Sequence, residues 1–205
     1  MVSSLIPALV AALAAAAVWV GYALSEARAR RRFKALERAW RAYAAEHGLV
    51  VVPFAELSGV PGDIGPPLVR GDLSGVALEL TVHSSTRPVT CVEATLPGVS
   101  GSFVLTIRRR ARRLPRSFAG SPVEEAPTGN KTFDATFALL SNEPDLARSL
   151  VDRRLAQVLL GFPRASVDLC ACQNRFLLSW RGMEADRTVL DAAIDVVFAA
   201  CRRRA

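Results

Sequence analysis

No charged side chain occurs between Met1 and Glu26, and Leu5 to Leu24 is almost wholly apolar. As a helix rising 1.5 Å per residue, that segment reaches about 30 Å, the thickness of a bilayer's hydrocarbon core. Pro7 falls in its first turn, where the missing N–H costs little. Trp19 and Tyr22 fall near its far end, where an aromatic belt would sit. The expectation is a transmembrane helix over residues 1–24. A cleaved signal peptide is the rival, with Ala23-Leu24-Ser25 as a small-residue cleavage site. The absence of a basic n-region and the length of the apolar stretch favour an anchor.

Orientation follows from where the basic residues fall. None precedes the segment, whereas Arg28, Arg30, Arg31, Arg32 and Lys34 follow it directly. The positive-inside bias therefore puts the C-terminal part in the cytoplasm, the membrane being a bacterial inner membrane. The net charge of +7 comes almost entirely from arginine, since Lys34 and Lys131 are the only lysines. With 51% hydrophobic and 22% charged residues, the rest of the chain has the composition of a folded domain.

Residues 25–48 read as a basic amphipathic helix stopped by Gly48. Phe33, Leu36, Trp40, Tyr43 and His47 recur at alternating spacings of three and four, giving one narrow apolar seam. The seam packs either on the domain's own sheet, the favoured reading, or on a second copy as a short coiled coil.

Residues 49–205 read as a single α+β domain. Leu49–Val52 is a short apolar run, and a Gly/Pro-rich loop covers residues 59–67. Val76, Leu78, Leu80 and Val82 alternate with Ala77, Glu79, Thr81 and His83 as in a half-buried strand. Residues 89–96 and 103–108 predict two more strands, residues 114–130 a loop, and residues 132–140 a return to strand. A helix follows, capped by Ser141 or Asn142 with Pro144 in its first turn, carrying Leu146, Leu150, Val151, Leu155, Val158 and Leu159 on one face. A hairpin pairs residues 167–172 with 176–180, and a last helix starts near Asp186. Short turns between neighbouring strands imply a mainly antiparallel sheet with the helices on one face.

The run Trp40-Arg41-Ala42-Tyr43-Ala44-Ala45-Glu46-His47-Gly48-Leu49, the Gly71…Gly75 stretch entering a strand, and Phe133-Asp134-Ala135-Thr136-Phe137 form a layout over residues 36–200. It resembles a loose group of uncharacterised bacterial single-pass membrane proteins. The resemblance implies no activity and carries over no site residues.

Motifs for chemistry are sparse. Cys170-Ala171-Cys172 lacks the partner pairs of a zinc site, so both thiols are expected to face the helices as core, and neither metal nor cofactor is expected. An enzyme would need Asp134, His83 and Cys91 to converge in a cleft. What stands out is arginine: Arg108, Arg109, Arg110, Arg112, Arg113 and Arg116 at a strand end, the cluster from Arg28 to Lys34, and Arg202 to Arg204 at the C-terminus. Near an anionic leaflet each basic side chain adds about 1 kcal/mol of attraction. The first two clusters are therefore the candidate membrane-surface residues, with anionic lipid headgroups as their partner. Nucleic acid is less favoured, because no aromatics interleave with the arginines. The expected function is a membrane-anchored cytoplasmic binding or interaction module with a protein partner or a second copy. The alternatives are an anchored enzyme and a membrane-proximal assembly subunit.

Overall fold

The structure is a computed structural model that describes residues 5–60, 62–83, 87–95, 102–111, 117–172 and 174–201, with the side chains of residues 5–12 left aside. Arg112, Arg113, Arg116 and Arg202 to Arg204 lie outside the described residues, as do Ser84, Ser85, Pro97 and Gly98.

A single helix, α1, runs from Leu5 to His47 without interruption. It ends where Gly48 takes the left-handed conformation, φ 69°, that a glycine adopts without strain. Its two halves differ sharply. Leu13, Val18, Trp19, Val20, Tyr22 and Leu24 are all more than half exposed. Phe33, Leu36, Trp40 and Tyr43 are buried, and Trp40 is fully so. Among the described residues no helix is long and apolar enough to cross a membrane. The first part of the expected span lies outside the residues whose side chains are described.

After α1 come β1 (Val50–Val52), the short helix α2 (Phe54–Ser58), β2 (Leu68–Leu73), β3 (Val76–His83), β4 (Val89–Thr95) and β5 (Val104–Arg109). The loop expected next holds three two-residue strands, β6 (Ser117–Phe118), β7 (Ser121–Pro122) and β8 (Glu124–Glu125). Then follow α3 (Lys131–Thr136), β9 (Phe137–Ser141), α4 (Pro144–Leu150), α5 (Arg153–Leu160), β10 (Asp168–Cys172), β11 (Arg175–Arg181) and α6 (Arg187–Cys201). Nine strands form one antiparallel sheet in the order β1-β2-β3-β4-β11-β10-β5-β9-β8, and β6 pairs with β7 apart from it. The chain is thus α+β with a large antiparallel sheet.

Register explains the core. Leu80, Val92, Leu178, Leu169 and Ile107 form one row across β3, β4, β11, β10 and β5, and Leu78, Ala94, Phe176, Ala171 and Leu105 form the next. Side chains in such rows share one face, because alternation has period two. That face meets Trp40 and Tyr43 of α1, Leu155 and Leu159 of α5, and Leu190, Ala193 and Val197 of α6 in one buried cluster. The C-terminal half of α1 is therefore part of the core.

Several expectations need correction. Residues 132–140 are not strand throughout: Asn130 Oδ1 accepts from Phe133 N at 3.2 Å and starts α3, and β9 begins only at Phe137. The helix expected from Pro144 to Leu159 is two, because Asp152 Oδ1 accepts from Leu155 N at 2.7 Å and opens a new helix. Ser141 and Asn142 do not cap α4. Ser141 Oγ donates to Val104 O, Asn142 Oδ1 accepts from Val104 N, and Glu143 occupies the cap position. β2 was not expected at all. Finally, Cys170 and Cys172 do not face the helices: Leu169 and Ala171 take that side, and both thiols lie half-buried on the opposite face.

Candidate membrane-proximal site

One end of the sheet gathers the candidate residues. His83 at the end of β3 pairs with Val89 at the start of β4, which also pairs with Arg181 at the end of β11. Asp168 at the start of β10 pairs with Arg108, and Arg109 pairs with Phe137 at the start of β9. The segment following β11 at this same end, Gly182 and Met183, lies with Pro88 against Arg32 and Leu36 of α1. The end of the sheet bearing Arg108 and Arg109 is therefore the end from which the exposed half of α1 departs.

The arginines at the end of β5 are held by the fold. Arg108 Nε lies 3.8 Å from the Asp168 carboxylate on β10. The Arg109 guanidinium sits 5.2 Å from the centre of the Phe137 ring, in cation–π range. Arg110 donates to the Asp134 carbonyl and pairs with Glu125. The arginines on α1 differ. Arg30 pairs with Glu26 one turn back. Arg28, Arg31, Arg32 and Lys34 are exposed, and among the described residues none of them pairs with a carboxylate. The two clusters look alike in sequence, yet among the described residues Arg108 and Arg110 each have a carboxylate partner and Arg109 an aromatic one, whereas Arg28, Arg31, Arg32 and Lys34 have no carboxylate partner.

Glu184, which sequence reading missed, joins α1 to this end of the sheet. It is 6% exposed. Its backbone carbonyl accepts from Trp40 Nε1 at 2.8 Å, and its carboxylate accepts from Trp180 Nε1 at 3.2 Å and from Asp186 N at 3.0 Å. Arg164 adds a bidentate pair at 2.8 and 3.0 Å, which raises the Arg164 pKa. Glu184 N donates to Thr90 Oγ1, which donates to Gly182 O. A buried carboxylate so surrounded is compensated, and it fixes in place the segment whose Glu184 carbonyl receives Trp40 of α1. Nothing local distinguishes Glu184 from a surface glutamate, since its partners come from β4, β11, α1 and the 161–167 loop.

Asp134, His83 and Cys91 do not converge. Asp134 accepts from Thr128 N, Thr128 Oγ1 and Gly129 N, so its carboxylate holds the loop before α3. α3 leads into β9, five strand steps from His83 on β3, or roughly 24 Å at ordinary strand spacing. Cys91 is buried on β4, and burial pushes its thiol up to about 11. Burial also raises Cys170, whose Sγ lies 3.5 Å from Thr106 Oγ1. Among the described residues no group of three His, Cys, Asp or Glu is placed to hold a metal ion. A shallow groove of about 460 Å³ crosses β1 to β4, where Arg70, Glu79 and Glu93 are its charged residues. Glu93 is paired with Arg175 at 2.9 Å.

No family model and no curated protein matches the chain. Among solved structures the chain is similar to the crystal structure of the mycobacterial trehalose monomycolate transport factor A, TtfA, with 19% sequence identity and a TM-score of 0.58. The match covers 82% of this chain and 94% of that one. At that identity the likeness is one of fold: the α+β architecture described above is one that TtfA shares.

Proposed function

We propose that this chain is a membrane-anchored cytoplasmic interaction module whose basic sheet end faces an anionic leaflet. The observation that carries the reading is the single helix α1. Its N-terminal half exposes Leu13, Val18, Trp19, Val20 and Leu24, and its C-terminal half is cemented into the core through Trp40. An apolar helix that the fold leaves bare needs an apolar surrounding, and the uncharged sequence continues to Met1. The uncompensated Arg28, Arg31, Arg32 and Lys34 follow directly and would stand at headgroup level on the cytoplasmic side. The dispersal of Asp134, His83 and Cys91 favours binding over catalysis by that trio, and a fold shared with a protein named as a transport factor suits a module that assembles or carries.

The test is fractionation with topology. The chain should stay with membranes after a high-salt and alkaline wash. A C-terminal green fluorescent protein should glow, and a C-terminal alkaline phosphatase should be inactive. Release by the wash, or an active phosphatase, would overturn the anchored cytoplasmic reading.

The second reading, a membrane-proximal assembly subunit, is favoured by the β1 edge. Val50 on β1, and Leu57 and Val60 in and after α2, are each about half exposed, and an edge strand offers unpaired backbone groups to a partner. Cross-linking from Val50→Cys in native membranes would capture that partner at defined mass.

A further inference from the structure

We infer that the cleft between α1 and the segment after β11 is a binding site for one anionic phospholipid, an inference that rests on the anchored reading above. Gly21, Ser25, Arg28, Arg32 and Leu36 recur at spacings of four, three, four and four, so they form one stripe along α1. Met183 stands against this stripe. Above it, Gly21, Ser25 and Arg28 line a space of about 280 Å³. Below it, Arg32, Leu36 and Pro88 line one of about 450 Å³. Arg32 and Met183 border both, so the two spaces are neighbours along the helix. From Gly21 to Leu36 the stripe is roughly 22 Å long at 1.5 Å per residue.

Three features point to a lipid. The upper end opens beside Gly21 and Tyr22, within the exposed apolar half of α1, so a bilayer lipid reaches it without crossing water. The middle carries two arginines and no carboxylate, and neither arginine is paired among the described residues. A phosphodiester matches that charge, and guanidinium groups bind phosphate by paired N–H donors. The lower end is walled by Leu36, Pro88 and Met183, which suit an acyl chain and offer a free phosphate nothing. The lower space falls in the size range of about 300–1,000 Å³ typical of small-molecule pockets. The lipid would thus keep its phosphate between Arg28 and Arg32 while one chain leaves the leaflet and lies along the helix. Its contact with Met183 would put it one residue from Glu184, the lock between helix and sheet.

The experiment uses the full chain, purified from membranes in a mild non-ionic detergent, with phosphatidylglycerol and phosphatidylethanolamine as probes and native mass spectrometry as readout. Wild-type protein should hold one phosphatidylglycerol in preference to phosphatidylethanolamine. Arg28→Gln with Arg32→Gln should weaken it about tenfold or more. Ala35→Phe, at an exposed position on the wall of the lower space, should displace the lipid with the charges intact. Arg31→Gln with Lys34→Gln removes the same charge and should retain it. Equal loss in the two charge pairs, no preference for phosphatidylglycerol, or a lipid unmoved by Ala35→Phe would overturn the site. So would binding of inorganic phosphate as tight as that of the lipid. Each of these leaves the anchored reading standing, whereas recovery of the chain in the soluble fraction would sink that reading and the site with it.

Discussion

The two halves of α1 are made of similar material and do opposite things. Both are rich in alanine and carry aromatic and branched apolar side chains. In the first half these point all round the helix and none is buried among the described residues; in the second they form a seam that the sheet and α6 cover. Apolar content alone therefore says little about what a helix packs against. Periodicity does: a seam at spacings of three and four commits one face to a protein core, while a helix apolar on all sides asks for an apolar surrounding.

The sharpest way to break this contrast is to cut one tryptophan from each half. Trp40→Ala removes a fully buried ring and its hydrogen bond to Glu184, and should cost about 3–5 kcal/mol in chemical unfolding of the detergent-solubilised chain. Trp19→Ala, at 75% exposure, should leave the same transition unmoved. A large loss from Trp19→Ala would mean that the first half is covered by the domain after all.

Glu184→Ala comes next. It orphans Trp180 Nε1 and Asp186 N and leaves Arg164 with only the longer pair to Asp186, while sparing the carbonyl that receives Trp40. Removing one side of a buried pair costs about 3–5 kcal/mol, and Arg164 is partly solvated, so about 3 kcal/mol is expected. If the lock works as described, hydrogen exchange should quicken in the second half of α1 and not in β9.

A smaller effect separates the two arginine sets. In the full chain reconstituted into anionic vesicles, Arg31→Gln and Lys34→Gln should each weaken salt-sensitive apposition by about 1 kcal/mol. Arg110→Gln should instead show up as lower stability, because its charge already serves Glu125. Identical behaviour in the two sets would erase the distinction between them.

The smallest effect concerns Tyr43. Burial, and then the Asp191 carboxylate, push its hydroxyl well above the usual tyrosine range. A group whose folded pKa is raised contributes stability below its unfolded pKa, near 10, and loses it as pH climbs above that value. Tyr43→Phe should change stability at pH 7 by about 1 kcal/mol at most. It should also flatten the alkaline loss of stability between pH 10 and 12, followed as the denaturant midpoint against pH.

How far the sequence carries depends on whether a residue's environment is local. β3, the β10–β11 hairpin and the faces of α1 and α6 are legible because their alternation or helical spacing is written in contiguous residues. β2 is not, since Arg70-Gly71-Asp72 interrupts any apolar pattern. It exists by pairing with β3, and a Cβ at Gly71 would come within 2.8 Å of Leu49 Cδ2, so a larger residue there would have to push the Leu49 side chain aside. α3 is hidden because six residues make a helix only with the Asn130 cap and the loop tied by Asp134. Which face the thiols take is not legible, because Leu-Cys-Ala-Cys is apolar on both. Register against Leu105 and Phe176 decides, and register is non-local. The same holds for the site. The arginines of β5 are plain to see, but that they are occupied depends on Asp168, Phe137 and Glu125, all distant in sequence.

An unbroken helix that runs from a bare apolar half into a locked core also fixes an angle. Each residue turns α1 by about 100° and advances it 1.5 Å, so its two halves are in a set phase. One residue added between Leu24 and Phe33 would swing the sheet about a quarter-turn around the helix axis and carry its basic end off to one side. Seven would restore the bearing to within about 20° while lowering the domain by roughly 10 Å. The chain between the exposed and buried halves thus works as a shaft rather than a tether, and torque on one end reaches the other.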